Sequence, residues 1–168
     1  MAVLNREVLE VQNSALGALL LWRTAAAYQK ARDDAAPCPF HFLFLPLPLL
    51  LSEDTLCIID STQRTSGLRS LVTKFTTSAN NQSDILLTLH DRVLTWREIS
   101  LGSLGLALAS RLLRFATPPD RLVPLSHTPP RHGLPSSVRR LQRNAEKLGH
   151  WFAMLTPHEV SLALKVRF

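Results

Sequence analysis

The most regular pattern in the sequence lies in residues 136–155, which read SSVRRLQRNAEKLGHWFAML. Apolar residues recur there at alternating intervals of three and four, at Val138, Leu141, Ala145, Leu148, Phe152 and Leu155. This spacing places them on one side of an α-helix, as in the a and d positions of a heptad repeat. The pattern lasts about two and a half heptads, which is shorter than an independent coiled coil requires. We therefore expect a long helix that packs inside a domain and buries Leu141, Leu148 and Phe152.

The same helix carries a dense group of positive charges away from its apolar side. Arg139, Arg140, Arg143 and Lys147 lie within nine residues, and Arg131 stands in the segment before them. Residues 139, 143 and 147 recur at every fourth position, which predicts one solvent-facing row. Such a row fits the phosphates of a nucleic acid, the acidic surface of a partner protein, or plain solvation. These residues are the candidate contact residues of the chain.

Length and composition favour one folded domain over residues 1–168. Apolar residues make up 46% of the chain and charged residues 19%, against roughly 25% charged in average soluble proteins. This balance excludes an intrinsically disordered chain, and it indicates that a partner covers part of the surface. Residues 1–60 hold four Lys or Arg and seven Asp or Glu, which gives −3, whereas residues 61–168 hold fifteen and six, which gives +9.

The remaining patterns predict a mainly α-helical, compact domain with one small β-hairpin, in the helix–helix–hairpin order of a winged-helix domain. Helices are expected over 13–33, 46–59, 68–77 and 86–96, in a segment after Ser100, and over 157–165. The helix over 13–33 is apolar around more than half of its circumference, which predicts burial on several sides. The helix after Ser100 should present Leu101, Leu104, Leu108 and Leu112 on one face.

Shorter segments complete the predicted organisation. The hairpin is expected near 113–125, where two apolar segments flank a Pro-Pro-Asp turn. Thr156-Pro157-His158-Glu159 is typical of a helix start with a capping box. Residues 1–12 either extend the first helix or form an N-terminal arm, and residues 126–135 form an exposed loop rich in Pro and His. The alternating residues 166–168 suit a short closing strand.

The sequence lacks the motifs of most enzymes and membrane proteins. It contains no glycine-rich phosphate-binding loop, so we expect neither a nucleotide nor another cofactor. Cys38 and Cys57 belong to no paired spacing, so we expect no disulfide, no metal site and a cytoplasmic location. Ser61 with Asp60, and His150 with Glu146, offer residue types found in catalytic triads, but neither pair has a nucleophile on a sharp turn. The apolar stretch 42–51 is too short for a membrane span, which needs about 20 residues.

Four segments of the chain carry a resemblance to a known family. They are residues 11–22 (VQNSALGALLLW), 46–49 (PLPL), 66–69 (SGLR) and 144–153 (NAEKLGHWFA), together with the terminal Val166-Arg167-Phe168. These segments resemble the middle components of three-component ABC systems, and the resemblance runs from about residue 11 to residue 168. Their motifs are structural rather than catalytic.

The resemblance implies a role as a non-enzymatic subunit. Middle components of this kind are encoded with an SMC- or Rad50-like ATPase and an effector, often a nuclease, in sets that resemble Lamassu-type bacterial defence systems against phages and plasmids. The subunit would hold the ATPase near its heads and coiled-coil necks, and ATP would bind to the partner. The basic row would then contact either double-stranded DNA held by the complex or acidic residues of the ATPase.

A free winged-helix DNA-binding regulator is the alternative function. Such a protein reads a groove of DNA with one helix and the hairpin wing, and its recognition helix exposes several basic or amide side chains. Residues 100–113 offer only Arg111 for that purpose. This weakens the expectation of sequence-specific binding and favours the accessory subunit.

Overall fold

The computed structural model of the chain describes residues 13–77, 83–117, 120–129 and 133–167. The α-helices in these ranges are α1 (Ser14–Ala31), α2 (Pro46–Leu50), α3 (Glu53–Ser61), α4 (Gly67–Thr77), α5 (Ser83–Thr95), α6 (Arg97–Ala109), α7 (Ser136–Ala153) and α8 (Pro157–Leu164). The strands are β1 (Cys38–Pro39), β2 (Leu113–Phe115) and β3 (Arg121–Pro124), and 3₁₀ turns lie at Phe40–Phe44 and Arg64–Ser66. The predicted mainly α fold is confirmed. The predicted arm 1–12 lies outside the described residues.

Helix α1 runs through the centre of the molecule. The Asn13 side chain caps its first turn, because Oδ1 accepts hydrogen bonds from the backbone N–H groups of Ala15 and Leu16 at 3.1 Å. Nearly every side chain from Leu16 to Tyr28 is buried. Helix α7 packs against one side of α1 and α6 against another. The predicted burial of this helix on several sides is confirmed.

The apolar side of α7 faces α1, as its spacing predicts. Leu148 and Phe152 are completely buried, and Leu141 is 6% exposed. Val138 and Leu155, at the two ends of the pattern, are only partly buried. The buried apolar side chains from Leu16 to Val166 form one continuous core around this helix pair.

We expect Leu148→Ala to lower the free energy of unfolding by about 2–5 kcal/mol, because it removes a fully buried side chain and leaves a cavity. Urea denaturation followed by circular dichroism measures the change. Leu162→Ala is the matched control, since Leu162 is 64% exposed and its truncation should cost less than about 0.5 kcal/mol. A loss below about 1 kcal/mol for Leu148→Ala would contradict the close packing of α7 on α1.

The predicted helix over 46–59 is wrong as a single element. Helix α2 ends at Leu50, α3 begins at Glu53, and Phe40–Leu50 is bent by 100° against Glu53–Ser61. Ser52-Glu53-Asp54 causes the break, because acidic residues in a first turn favour a new helix start. The Thr55 hydroxyl fixes the corner by donating to the Leu49 carbonyl oxygen at 2.6 Å.

None of the described helices is both long enough and apolar enough to span a membrane. The segments Phe40–Leu50 and Glu53–Ser61 have sufficient length and apolarity only when taken together across their bend.

The predicted hairpin is present and belongs to a larger sheet. β2 pairs antiparallel with β3, with Phe115 opposite Leu122. β1 pairs with the other edge of β3, with Cys38 opposite Leu122, so the strand order is β1-β3-β2. The winged-helix interpretation of this arrangement stays a prediction. The turn residues 118–119 lie outside the described residues.

Two further predictions need correction. Helix α6 begins at Arg97 rather than after Ser100, and its buried face consists of Ser100, Ser103, Leu104 and Ala107. Leu101, which was expected on that face, is exposed. Gly17 of α1 lies directly against Ser103, so at this point the two helices approach too closely for a side chain larger than serine.

The chain end also differs from the prediction. Val166 and Arg167 form no strand, because left-handed Lys165 ends α8 and the Val166 N–H bonds back to the Ser161 carbonyl oxygen at 3.1 Å. Phe168 lies outside the described residues. The capping box of α8 is confirmed, since the Thr156 and Glu159 side chains each accept the backbone N–H of the other.

Candidate interaction surfaces

The basic residues of α7 are divided between solvent and the interior. Arg139 and Arg143 are exposed one turn apart, and neither forms an ion pair with an acid in the described ranges. Arg140 and Lys147 point towards α3 instead and are only partly exposed. The predicted solvent-facing row is therefore reduced to two residues, which we call the basic face. Arg131 lies outside the described residues.

Arg140 and Lys147 join α7 to α3. Arg140 Nε donates to Asp60 Oδ2 at 2.9 Å, and its guanidinium lies 3.8 Å from Glu53 Oε1. Lys147 Nζ donates to the carbonyl oxygens of Ile59 at 3.1 Å and Asp60 at 2.9 Å. Cations beside the last carbonyls of a helix complement its dipole and satisfy acceptors that have no partner within the helix.

Neighbouring groups and burial shift the pKa values of Asp60 and Lys147 in this contact. The Asn144 amide, which donates to Asp60 Oδ1 at 2.9 Å, and the Arg140 guanidinium lower the pKa of the Asp60 carboxyl. Burial lowers the pKa of Lys147. Asp60 therefore stays ionised at neutral pH and neutralises Arg140, which leaves Arg139 and Arg143 as the cations that α7 offers to a partner.

Lys74 of α4 adds a cation that the sequence analysis missed. Its Nζ donates to the Ser61 carbonyl oxygen at 3.1 Å, so Lys74 and Lys147 together bind three successive carbonyls at the end of α3. Arg143 lies close enough to Lys147 to disfavour its charge. No local signal in the sequence brings Lys74 to this place, because the contact depends on how α4 packs against α3.

A second surface of different character is the side of α6 that points away from α1. Between Glu98 and Arg111 the sequence contains no charged residue. We call this surface the α6 outer face, and its exposed residues are Leu101, Gly102, Gly105, Leu106 and Ala109. Leu101 is 41% exposed and Leu106 is 37% exposed, and open space surrounds both glycines. The result is a shallow apolar surface with leucines on its two sides.

The residue types that could begin a catalytic site have structural partners. The Ser61 hydroxyl donates to the Ile58 carbonyl oxygen at 2.9 Å, and Asp60 binds Asn144 and Arg140. Glu146 pairs with Arg23 rather than with His150. Across the described ranges, no three His, Cys, Asp or Glu side chains lie together so that they could hold a metal ion.

Comparison with known proteins gives one match. The family model of the ABC-three component (ABC-3C) system Middle Component 3 matches residues 1–168, so the match includes the central helix pair, the basic face and the α6 outer face. Neither the curated proteins nor the solved structures contain a match to the chain.

Proposed function

The chain belongs to the Middle Component 3 family of ABC-three component systems, and from that premise we propose that it is a non-enzymatic accessory subunit of a defence complex. It binds an SMC/Rad50-like ATPase in a Lamassu-type system directed against phages and plasmids, in the bacterial cytoplasm. It couples that ATPase to an effector, for which a nuclease is the expected activity. The ATP that drives the complex binds to the ATPase, since this sequence has no phosphate-binding loop of the kind that ATPases use.

The observation that carries this proposal is the α6 outer face. The face is uncharged from Leu101 to Ala109, and Glu98 is exposed on the same side one turn before it. An apolar surface of this kind gains free energy when another apolar surface covers it, at roughly 25 cal/mol per Å². Gly102 and Gly105 allow the backbone of a partner helix to approach closely, because no side chain separates the two surfaces. A component of a multi-subunit system has such a partner available. We therefore assign this face to the contact with the ATPase.

We expect Leu106→Glu to weaken capture of the ATPase component by at least about 30-fold, because it places an unpaired carboxylate in an apolar contact. The measurement is co-purification of the ATPase with tagged chain, followed by titration of the two purified proteins. Leu162→Glu is the matched control, since Leu162 is another exposed helical leucine and lies on α8.

The two outcomes that contradict the proposal are distinct. If Leu106→Glu and Leu162→Glu capture the ATPase equally well, the contact lies elsewhere on the chain. If the unaltered chain captures no ATPase, the accessory-subunit role itself is wrong.

The basic face supports a second element of the function, which is contact with double-stranded DNA held by the complex. Arg139 and Arg143 follow each other at i and i+4, are exposed, and carry charge that no acid of the described residues neutralises. Arginines so placed can follow a phosphate backbone without reading its sequence. An acidic surface on the ATPase is the competing partner for the same two residues.

The alternative of a free winged-helix regulator depends on the hairpin. Arg114 on β2 is exposed and could serve as a wing contact, as could Arg111 in the turn before it. The α6 outer face opposes this alternative, because a helix that enters a DNA groove exposes polar side chains rather than leucines and glycines.

A further inference from the structure

A small cleft beside α1 and α7 is lined by more positive than negative side chains. Its floor is formed by Ala26 and Ala27, and Arg23 and Lys30 stand at its ends on the same face of α1. Arg64, His127 and Glu146 complete the lining from three other segments of the chain. The cleft holds about 60 Å³, so it admits only a small chemical group. The two alanines leave this space open because they are the smallest side chains that a helix commonly carries.

Arg23 is held rigidly at the inner end of the cleft. It is only 6% exposed, and its guanidinium stacks over the Trp22 ring at 5.0 Å. Nη1 donates to the His127 carbonyl oxygen at 3.0 Å, and Nη2 pairs with Glu146. Nε is buried and has no acceptor among the described residues. Because Nε is closed to solvent, a ligand in the cleft would meet the N–H groups of Nη1 and Nη2 that these two contacts leave over, since a guanidinium carries five N–H donors.

The charges of the lining do not balance. Arg23, Lys30 and Arg64 contribute three positive charges, and Glu146 is the one acid among the lining residues. Glu146 is occupied by Arg23, and Lys30 forms no ion pair with any acid in the described ranges. Arg64 Nη2 lies 3.3 Å from His150 Nδ1, and burial followed by the charge of Arg64 lowers the pKa of His150. The neutral imidazole can accept this hydrogen bond, and it leaves the charge of Arg64 uncompensated.

We infer that the Arg23 cleft, formed by Arg23, Lys30 and Arg64 over Ala26 and Ala27, is a binding site for the phosphate group of a small molecule. Guanidinium groups bind oxyanions through paired, charge-assisted hydrogen bonds, and an ammonium group adds a point charge. The space admits one phosphate group and leaves the remainder of the ligand outside. Inorganic phosphate and the terminal phosphate of a nucleotide share this chemistry.

The test is isothermal titration of the full chain with inorganic phosphate and with ATP, at constant ionic strength maintained with chloride. We expect both ligands to bind, and Lys30→Glu combined with Arg64→Glu to weaken binding at least about tenfold, because two attractive charges become repulsive. Arg97→Glu is the matched control, since it reverses an exposed charge on α6, outside the cleft. Circular dichroism confirms the fold of each variant, and Lys30→Gln combined with Arg64→Gln replaces the double reversal if that variant does not fold.

The ligands and variants separate the outcomes. Binding of ATP but not of inorganic phosphate identifies a nucleotide as the source of the phosphate group, and binding of both identifies the group itself. The inference is overturned if the unaltered chain binds neither ligand, or if all variants bind equally. A parallel titration with a duplex DNA oligonucleotide also overturns the inference if the double reversal weakens that binding alone, because the cleft would then belong to a DNA surface. None of these titrations contains the ATPase, so failure here leaves the accessory-subunit role untouched.

Discussion

Gly149→Val is expected to abolish the cooperative unfolding transition of the chain at 25 °C, which is a larger effect than any truncation of the core. A β-carbon at this position would overlap the Thr24 carbonyl oxygen and lie 2.9 Å from Ala27 Cβ and 3.0 Å from Tyr28 N. Two of these atoms belong to the backbone of α1, so no side chain can rotate away to relieve the overlap. The α1 and α7 axes must separate, which opens the interface that buries Leu148 and Phe152.

The magnitude follows from the size of that interface. Overpacking a core costs about 1–3 kcal/mol where neighbouring side chains can adjust. Here the helices themselves must move. The loss of stability therefore approaches the whole free energy of unfolding of a typical domain, which is about 5–15 kcal/mol. Thermal and urea unfolding followed by circular dichroism report whether a transition remains.

Gly105→Val is the matched control for the same substitution in a helix. A β-carbon added at Gly105, on the α6 outer face, has no atom of the surrounding structure within 4 Å, so the valine side chain would extend from an open surface. The intrinsic helix propensity of valine slightly exceeds that of glycine, and we expect stability within about 0.5 kcal/mol of the unaltered chain. A cooperative transition of unchanged midpoint in Gly149→Val would show that α1 and α7 do not pack as closely as the structure places them.

The elements that the sequence predicts well are those with a local physical signal. The heptad spacing of α7 predicts its buried face, and Thr156 with Glu159 predicts the start of α8. Strand β1 could not be predicted, because two residues carry no periodicity and their only signal is the pairing with β3. The break after Leu50 has a weak local signal in Glu53 and Asp54, which lie in the first turn of α3, and the apolar residues on both sides of it favour one continuous helix.

The candidate site was predicted at the level of residue types and not of roles. Arg139, Arg143 and Lys147 are equivalent in the periodic pattern, since they recur at every fourth position, and Arg140 lies beside them off the apolar side of the same helix. Their division into free and paired cations is decided by α3, which presents Asp60 to one flank of α7. That placement depends on a contact between residues about 80 positions apart. Charge counts along the sequence cannot predict such a contact.

Charge reversal of the basic face, Arg139→Glu with Arg143→Glu, should weaken binding of the assembled complex to double-stranded DNA by more than about tenfold at low salt, if both arginines contact phosphates. Each contact contributes about −0.9 to the slope of log affinity against log salt concentration, so the slope should become shallower by about 1.8. Fluorescence anisotropy with a labelled duplex at several salt concentrations measures both quantities. Co-purification of the ATPase, measured in parallel, should be unchanged.

Arg111→Glu with Arg114→Glu is the control of equal charge, and it also tests the winged-helix regulator. Both residues are exposed at the hairpin, so a wing contact predicts that this pair, and not the α7 pair, reduces DNA affinity. Loss of ATPase capture by Arg139→Glu with Arg143→Glu would assign the basic face to an acidic surface of the ATPase and contradict DNA contact. If neither DNA affinity nor capture changes, the two arginines serve only to keep α7 solvated. Arg140 and Lys147, whose charges face α3, are unchanged in both double variants. Any difference in DNA affinity between the two variants therefore comes from the substituted arginines.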